Sequence, residues 1–343
     1  MSPWSVLSIV AGVALLGFAL LDLFGTVFMI SGGAGPQSRR LADRAWRLAL
    51  RLHDPGSDKS HSLLRAAGPA IVLLVVLVWV AEFTLAWTLV FVPDAFTSPA
   101  DPSFEDRFTF AAQAVSGRGG NRPQVETADG AWEVVHWLSG LTGVTLVSLG
   151  LAYVLPVIAS VAHKRSIAAT VHALGDSVDE MRAVAARAGG GSFELHLIAL
   201  APQISWSAER HRAYPVLHYF HSRDRHAALA PAIAKLVLLV EDGMPQCPAV
   251  DATVTVPLGR SVRNLLGALA DMGLGDYAET AEGVDPETLE RTRLDPDNDA
   301  AAGALPDVDV VRAYVGFDGW DWAEVEEGNR NTTARRPAGR PAA

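Results

Sequence analysis

The sequence has a single cysteine, Cys247. No intramolecular disulfide and no multi-cysteine metal site can form. Positive charge is also scarce. Lys and Arg number 28 against 38 Asp and Glu, a formal net charge of −10. This argues against general nucleic-acid binding, which needs a basic face. No glycine-rich phosphate loop follows a strand, and there is no Walker pattern or dinucleotide fingerprint. No Ser/His/Asp arrangement is identifiable by spacing, and no convergent set of catalytic groups appears, so the chain is not expected to be an enzyme. No Lys or Arg precedes the first apolar run. A secretory signal peptide opens on a basic region and has an apolar stretch of about 7–15 residues. The run here is longer and reads as a transmembrane helix.

What the chain has is apolar length. Half of its 343 residues are hydrophobic, and the excess lies in three blocks, 4–30, 68–92 and 132–160. Each can cross a hydrocarbon core about 30 Å thick, which takes about 20 residues of helix. The half after residue 161 is ordinary in polarity. The expected fold class is an all-α integral membrane protein. It has three transmembrane helices, a re-entrant pore loop between the second and third, and a helical cytosolic C-terminal domain. The expected divisions are a first transmembrane helix (1–30), a basic cytoplasmic linker (31–67) and a pore domain (68–160) whose pore loop is 103–123. A helical cytosolic domain (161–280) and an acidic, partly disordered tail (281–343) follow; residues 327–343, without apolar residues for a core, read as disordered.

Charge sets the orientation. The linker carries Arg39, Arg40, Arg44, Arg47, Arg51, Lys59 and Arg65 against Asp43, Asp54 and Asp58. The loop 93–131 has only Arg107, Arg118 and Arg122, and the third apolar block is followed by His163, Lys164 and Arg165. The positive-inside rule then puts the linker and the C-terminal half in the cytoplasm and the N-terminus outside the plasma membrane. Trp4, Trp87 and Trp132 fall near the outer interface and Trp46 near the inner one, as an aromatic belt would. Within the linker, Leu41, Ala45, Leu48 and Leu52 share one helical face. That face suits a helix on the anionic inner leaflet or a short cytosolic helix packed on its own domain.

The semi-polar insert between the second and third blocks reads FEDRFTFAAQAVSGRGGNRP over 104–123. Residues 103–114 suit a short helix with Glu105 and Asp106 in its first turn, where the helix dipole favours acid. Val115, Ser116, Gly117, Arg118, Gly119, Gly120, Asn121, Arg122 and Pro123 follow. A selectivity filter replaces an ion's water with rings of backbone carbonyls, and the backbone angles this needs come at low steric cost from glycine. Read alone, the glycines suit an exposed turn; their place between two spans and after a helix suits a pore.

On these residues the chain resembles the bacterial potassium-channel-like family, with an outer helix, a pore loop and an inner helix. The family filter reads Thr-Val-Gly-Tyr-Gly-Asp-x-x-Pro. Laid on this chain, Val115 falls at the threonine, Ser116 at the valine, Gly117 and Gly119 at the glycines, Arg118 at the tyrosine, Gly120 at the aspartate and Pro123 at the proline. The flanks agree: Leu21-Asp22-Leu23-Phe24 and Thr26-Val27-Phe28 ending the first block, Gly35-Pro36 after it, and Tyr214-Pro215-Val216-Leu217-His218-Tyr219-Phe220 in the second half. They look like a subfamily with an extra N-terminal span, and the likeness covers roughly residues 1–240. The filter departs from the family at three points. Val115 lacks the hydroxyl of the innermost ion ligand. Arg118 brings a fixed positive charge to the aromatic spacer position. Gly120 loses the outer-mouth acid. The resemblance implies a pore for potassium or another monovalent cation, with no cofactor and the lipid bilayer as surroundings. One pore loop per chain implies a homotetramer, since a filter needs a ring of four. The departures motivate an alternative, a non-conducting membrane sensor or scaffold that signals through its cytosolic half and an unidentified ligand there.

Other features bear on this reading. Gly140, Gly143 and Gly150 form a small-residue stripe on the third block, suited to close packing or to a gating hinge, and Pro156 is expected to kink its end. Gly143, Gly150 and Pro156 are the gate or hinge candidates. Asp22 and Glu82 lie within apolar runs, where acids are functional by default; a packing role is the simpler alternative. His211, His218, His221 and His226 cluster, and His218 and His221 are spaced to share a metal or act as a pH sensor; partly exposed helix histidines are the plainer reading. No metal site is expected. Residues 161–245 read as helices broken at Gly189-Gly190-Gly191, and 261–272 as a further helix.

Overall fold

The computed structural model describes residues 2–28, 34–53, 58–98, 101–117, 126–128, 130–188, 191–241, 252–274, 306–323 and 325. Ten α-helices are described: α1 (Pro3–Phe28), α2 (Pro36–Arg51), α3 (Asp58–Val90), α4 (Phe104–Val115), α5 (Ala131–Leu174), α6 (Val178–Ala188), α7 (Gly191–Ala213), α8 (Leu229–Glu241), α9 (Ala252–Leu269) and α10 (Val308–Phe317). Helices α1, α3 and α5 are long and apolar enough to cross a membrane. Helix α5 runs for 44 residues, continuing through Pro156 and well past the apolar block. Arg118, Gly119, Gly120 and the tail 327–343 lie outside the described residues.

The chain divides into two compact units. The first is Met1–Asp43 with Ala70–Val157, and the second is Arg44–Pro69 with Ile158–Ala343. The sequence between the first two spans therefore contributes to both, because α2 and α3 each begin in one and end in the other.

In the first unit an aromatic core forms where the C-terminal part of α3 meets the insert. Trp79, Phe83, Trp87 and Phe91 are buried with Phe96, Phe110 and Val115, and Leu23 and Leu146 join them from α1 and α5. The 93–131 insert is pinned at its ends. β1 (Phe96–Ser98) pairs antiparallel with β2 (Glu126–Thr127), with Phe96 opposite Thr127. Between the strands α4 opens on a capping box. The Ser103 hydroxyl accepts from the Asp106 amide, and the Asp106 carboxylate accepts from the Ser103 amide. Such a box satisfies two amides that no helical carbonyl can reach.

In the second unit α5 to α10 share one core, including Val171, Met181, Leu197, Ile204, Leu236 and Leu265. Helix α7 lies along α9, and α8 along α10. The acidic composition around α10 masked a core element. Val310, Val311, Tyr314 and Val315 are buried, while Asp307 serves as the N-cap by accepting from the Asp309 amide. Part of the segment read from sequence as tail is thus a packed helix.

The buried side of α2 carries Ala42, Trp46 and Ala49, whereas Leu48 and Leu52 are exposed. The packed face is thus turned by about one residue, roughly 100°, from the leucine face; exposure of Leu48 and Leu52 is what a face laid on the inner leaflet requires, whereas packing of that face on the chain's own domain is not seen among the described residues. Trp46 and Trp87, placed in aromatic belts by the sequence reading, are buried. Trp46 packs edge-on against His218, with ring centroids 5.5 Å apart, and against Tyr219.

Candidate pore segment and buried polar clusters

Helix α4 is held along α5 by its own residues. Phe110 packs on His136, with centroids 4.8 Å apart, and edge-on against Phe91 and Phe96. One turn later the Val115 carbonyl lies against the α5 backbone at Gly143, so closely that a methyl group on Gly143 would overlap it. Gly143 is about 12 residues from the start of α5, about 18 Å at 1.5 Å per residue. The C-terminal end of α4 therefore meets α5 well inside its apolar run. Glu105 and Asp106 lie in the first turn of α4.

The chain leaves α4 through Ser116 and Gly117. The Ser116 amide returns to the Ala112 carbonyl, and its hydroxyl donates to the Gln113 carbonyl at 2.9 Å. Gly117 has φ +72°, the left-handed turn that commonly ends a helix and that glycine adopts without strain. The Val115 side chain is buried in the aromatic core. Among these residues, then, Val115 offers no hydroxyl, and Gly117 closes the helix.

Of the three glycines on α5, only Gly143 is a close-approach position; a Cβ at Gly140 or Gly150 would meet nothing within 4 Å. Gly143→Ala is expected to lower stability by about 1–3 kcal/mol, the usual cost of overpacking. Gly140→Ala and Gly150→Ala should each stay within about 0.5 kcal/mol in the isolated chain. Thermal unfolding of the three variants in detergent measures the difference.

The intramembrane acids are neighbours. Asp22 is fully buried and bridges three helices. Its Oδ1 accepts from the amides of Gln37 (2.8 Å) and Ser38 (3.2 Å) at the start of α2. Its Oδ2 accepts from the Ser38 hydroxyl and from Trp79 Nε1 (2.9 Å) on α3. Thr26 Oγ1 donates to the Asp22 carbonyl and accepts from the Gly35 amide. The Gln37 side-chain amide donates to Glu82 at 2.5 Å. Both acids thus hold the first turn of α2, where unpaired amides and the positive end of the helix dipole favour carboxylates. Sequence separation hid this pairing; only Gly35-Pro36 signalled a helix start there.

Of the four clustered histidines of the second unit, His226 is exposed, as the plainer reading of the sequence had it, and the other three are not. His211, His218 and His221 are buried. His218 stacks on Phe317, with centroids 3.9 Å apart, and neither ring nitrogen has a hydrogen-bond partner among the described residues. His221 Nδ1 lies 2.7 Å from the Asp318 carbonyl and so carries the proton. Its Nε2 then accepts from His61 Nδ1 at 3.1 Å. His61 and His221 both pack on Trp320. Beside them Lys164 and Asp318 form a buried ion pair at 3.2 Å, and Lys164 also donates to the Phe220 carbonyl. The segment 214–221 is therefore a hub for α2, α3, α5 and α10. Burial, first, and the Lys164 charge, second, lower the pKa of His218 well below the usual histidine value and that of His211 to about 3. Burial, offset in part by the Asp318 hydrogen bond, holds His221 at about 3. None of the three is poised to sense pH near neutrality.

His172, Asp176 and His226 are close enough to share a metal ion. Their hydrogen bonds are otherwise committed. His172 Nδ1 accepts from the buried Lys235 ammonium at 3.1 Å, and its Nε2 donates to the Arg225 carbonyl. Lys235 also donates to the Asp176 carbonyl at 2.6 Å, and burial draws its pKa down to about 8. Both His172 nitrogens are thus occupied beside an ammonium group.

Three helices long and apolar enough to cross a membrane, among described elements that are helical apart from one short strand pair, define the class: an all-α membrane protein. The chain is 26% identical over 251 residues to the uncharacterized membrane protein YdjJ of Bacillus subtilis (strain 168), an alignment covering 69% of this chain and 71% of that one. No protein-family model matches the chain, and no solved structure matches it.

Proposed function

We propose that the chain is one subunit of a homotetrameric, potassium-channel-like cation pore with a degenerate filter. The insert dips back into the membrane, with α4 as its pore helix and residues 115–120 at the ion path. The observation that carries this reading is the contact of Val115 with Gly143, about 18 Å along α5. An insert lying on the outer surface would not bring the end of α4 to that depth. The paired strands support it too, since a segment pinned at both ends leaves and returns at one level. The C-terminal end of α4 then faces the path with its carbonyl-rich pole, which attracts cations. In this reading the N-terminus is outside, the C-terminal unit is cytoplasmic, the permeant ion is potassium or another monovalent cation, and the protein is neither an enzyme nor dependent on a cofactor.

One observation favours a second reading, a pore-fold membrane sensor or scaffold that does not conduct. The Val115 side chain has no hydroxyl and lies in the core, and its carbonyl lies against the α5 backbone at Gly143. Ion flux separates the two. Purified protein in liposomes is expected to pass potassium down its gradient, and absence of any cation flux from intact tetramers would end the first reading. If the wild type is silent and the Val115→Thr, Arg118→Tyr double variant conducts, the scaffold reading stands.

A further inference from the structure

Where the N-terminal part of α3 meets the continuation of α5, the second unit has a cavity of about 160 Å³, room for about five waters at 30 Å³ each. Its wall includes Arg65, Lys164, Arg165, His221 and Asp318. Lys164 is spent on Asp318, so the acid in the wall is already neutralised. Arg65 and Arg165 are exposed and form no ion pair among the described residues. They leave an uncompensated double positive charge at the mouth of a concave site with a buried lysine behind it. Both precede or follow an apolar block by a few residues, where lipid phosphates lie.

We propose that this cavity binds a phosphate-class anion, with the Arg65 and Arg165 guanidinium groups as its ligands. Guanidinium suits this task because its planar fork donates two parallel hydrogen bonds to phosphate oxygens. Lys164 and Asp318 form a neutral pair at the back of the cavity, so the positive potential there comes from the two guanidinium groups. The phosphate has two sources of the same chemistry, the headgroup of an anionic lipid or a soluble phosphate. The inference does not depend on conduction.

The test uses the full chain in detergent. Native mass spectrometry counts retained phosphatidylglycerol against phosphatidylcholine, and calorimetry measures inorganic phosphate. Selective retention of phosphatidylglycerol without phosphate binding assigns the site to a lipid headgroup; phosphate binding assigns it to a soluble anion. In either case Arg65→Gln with Arg165→Gln should weaken binding about thirtyfold, and both side chains are exposed enough for the fold to survive. Ala227→Leu, which narrows the cavity without changing charge, should weaken binding as well. Arg187→Gln, on α6, should leave it unchanged. Failure of both probes to bind, full binding by the double arginine variant or by Ala227→Leu, or an equal loss in Arg187→Gln would each overturn the proposal.

Discussion

Acidification is expected to unpack the C-terminal helical unit between about pH 5 and pH 4 while the apolar spans stay helical. The cause is the set of neutral histidines sealed in its core. In the unfolded chain each takes up a proton near pH 6.5, but in the folded unit His211 and His221 do so only at about 3. His218 is depressed in the same direction. The folded state therefore binds fewer protons throughout the interval. Stability is fully present above pH 6.5 and is lost as the pH falls toward 3. With one pH unit worth about 1.4 kcal/mol, His211 and His221 each cost on the order of 2 kcal/mol at pH 5 and on the order of 3 kcal/mol at pH 4. Two such groups alone approach the 5–15 kcal/mol that holds a typical domain together.

Groups facing the cluster modulate the loss without reversing it. Lys164 faces all three histidines and adds positive charge, which deepens the depression. Burial raises the Asp318 pKa against the lowering effect of Lys164. A raised carboxyl has the opposite sign and returns some stability as it protonates, but it is one group against three. Hydrogen exchange on the full chain separates the units: α8 peptides should lose protection below pH 5 while peptides from residues 70–90 keep theirs. His218→Phe provides the sharper test. The ring stacks on Phe317 and neither nitrogen has a partner among the described residues, so phenylalanine fills the same space with no polar atom to satisfy. It should stabilise the unit at neutral pH by about 1 kcal/mol or more and move the acid transition downward. An acid transition unmoved by this change, or full protection of α8 at pH 4, would remove the histidines as its cause.

These histidines also mark where sequence reasoning stops. The spans were legible because apolar length is a local property, and α4 was legible because Glu105 and Asp106 open a helix-compatible run that ends in glycine. The packed face of α2 was not legible, because the leucines mark a second face about one residue away. Periodicity favoured the leucines, but Trp46 finds its partners, His218 and Tyr219, more than 170 residues later. Lys164 was visible only as a charge that sets orientation. Its partner Asp318 lies 154 residues away, in a stretch whose acidity concealed the α10 helix. The pairing of Asp22 with the start of α2 was hidden for a related reason. A carboxylate in an apolar run announces a need for partners but not which backbone amides will meet it.

Replacing Asp22 is expected to be the most damaging single change in the first unit. Asp22→Ala strands four donors at once: the Gln37 and Ser38 amides, the Ser38 hydroxyl and Trp79 Nε1. A buried donor left without a partner costs about 1–3 kcal/mol, and some will find other acceptors, so a loss of about 3–5 kcal/mol is expected. Asn is the informative intermediate. Its oxygen can still accept from the two α2 amides, and its amide can donate to the Ser38 hydroxyl, but it then opposes the Trp79 N–H. The expected cost is about 1–2 kcal/mol. Trp79→Phe removes a single donor together with its partner's need and should cost least of the three. Thermal unfolding in detergent should therefore rank Asp22→Ala below Asp22→Asn and Asp22→Asn below Trp79→Phe. Flux separates structure from transport: if Asp22→Asn keeps the fold but alone abolishes ion movement, the carboxylate lies on an ion or proton path. If Asp22→Ala melts where the wild type does, the clasp between α1, α2 and α3 contributes nothing. The expected result is loss of the fold in step with the count of stranded donors, because in a hydrocarbon setting no water can replace the lost acceptor.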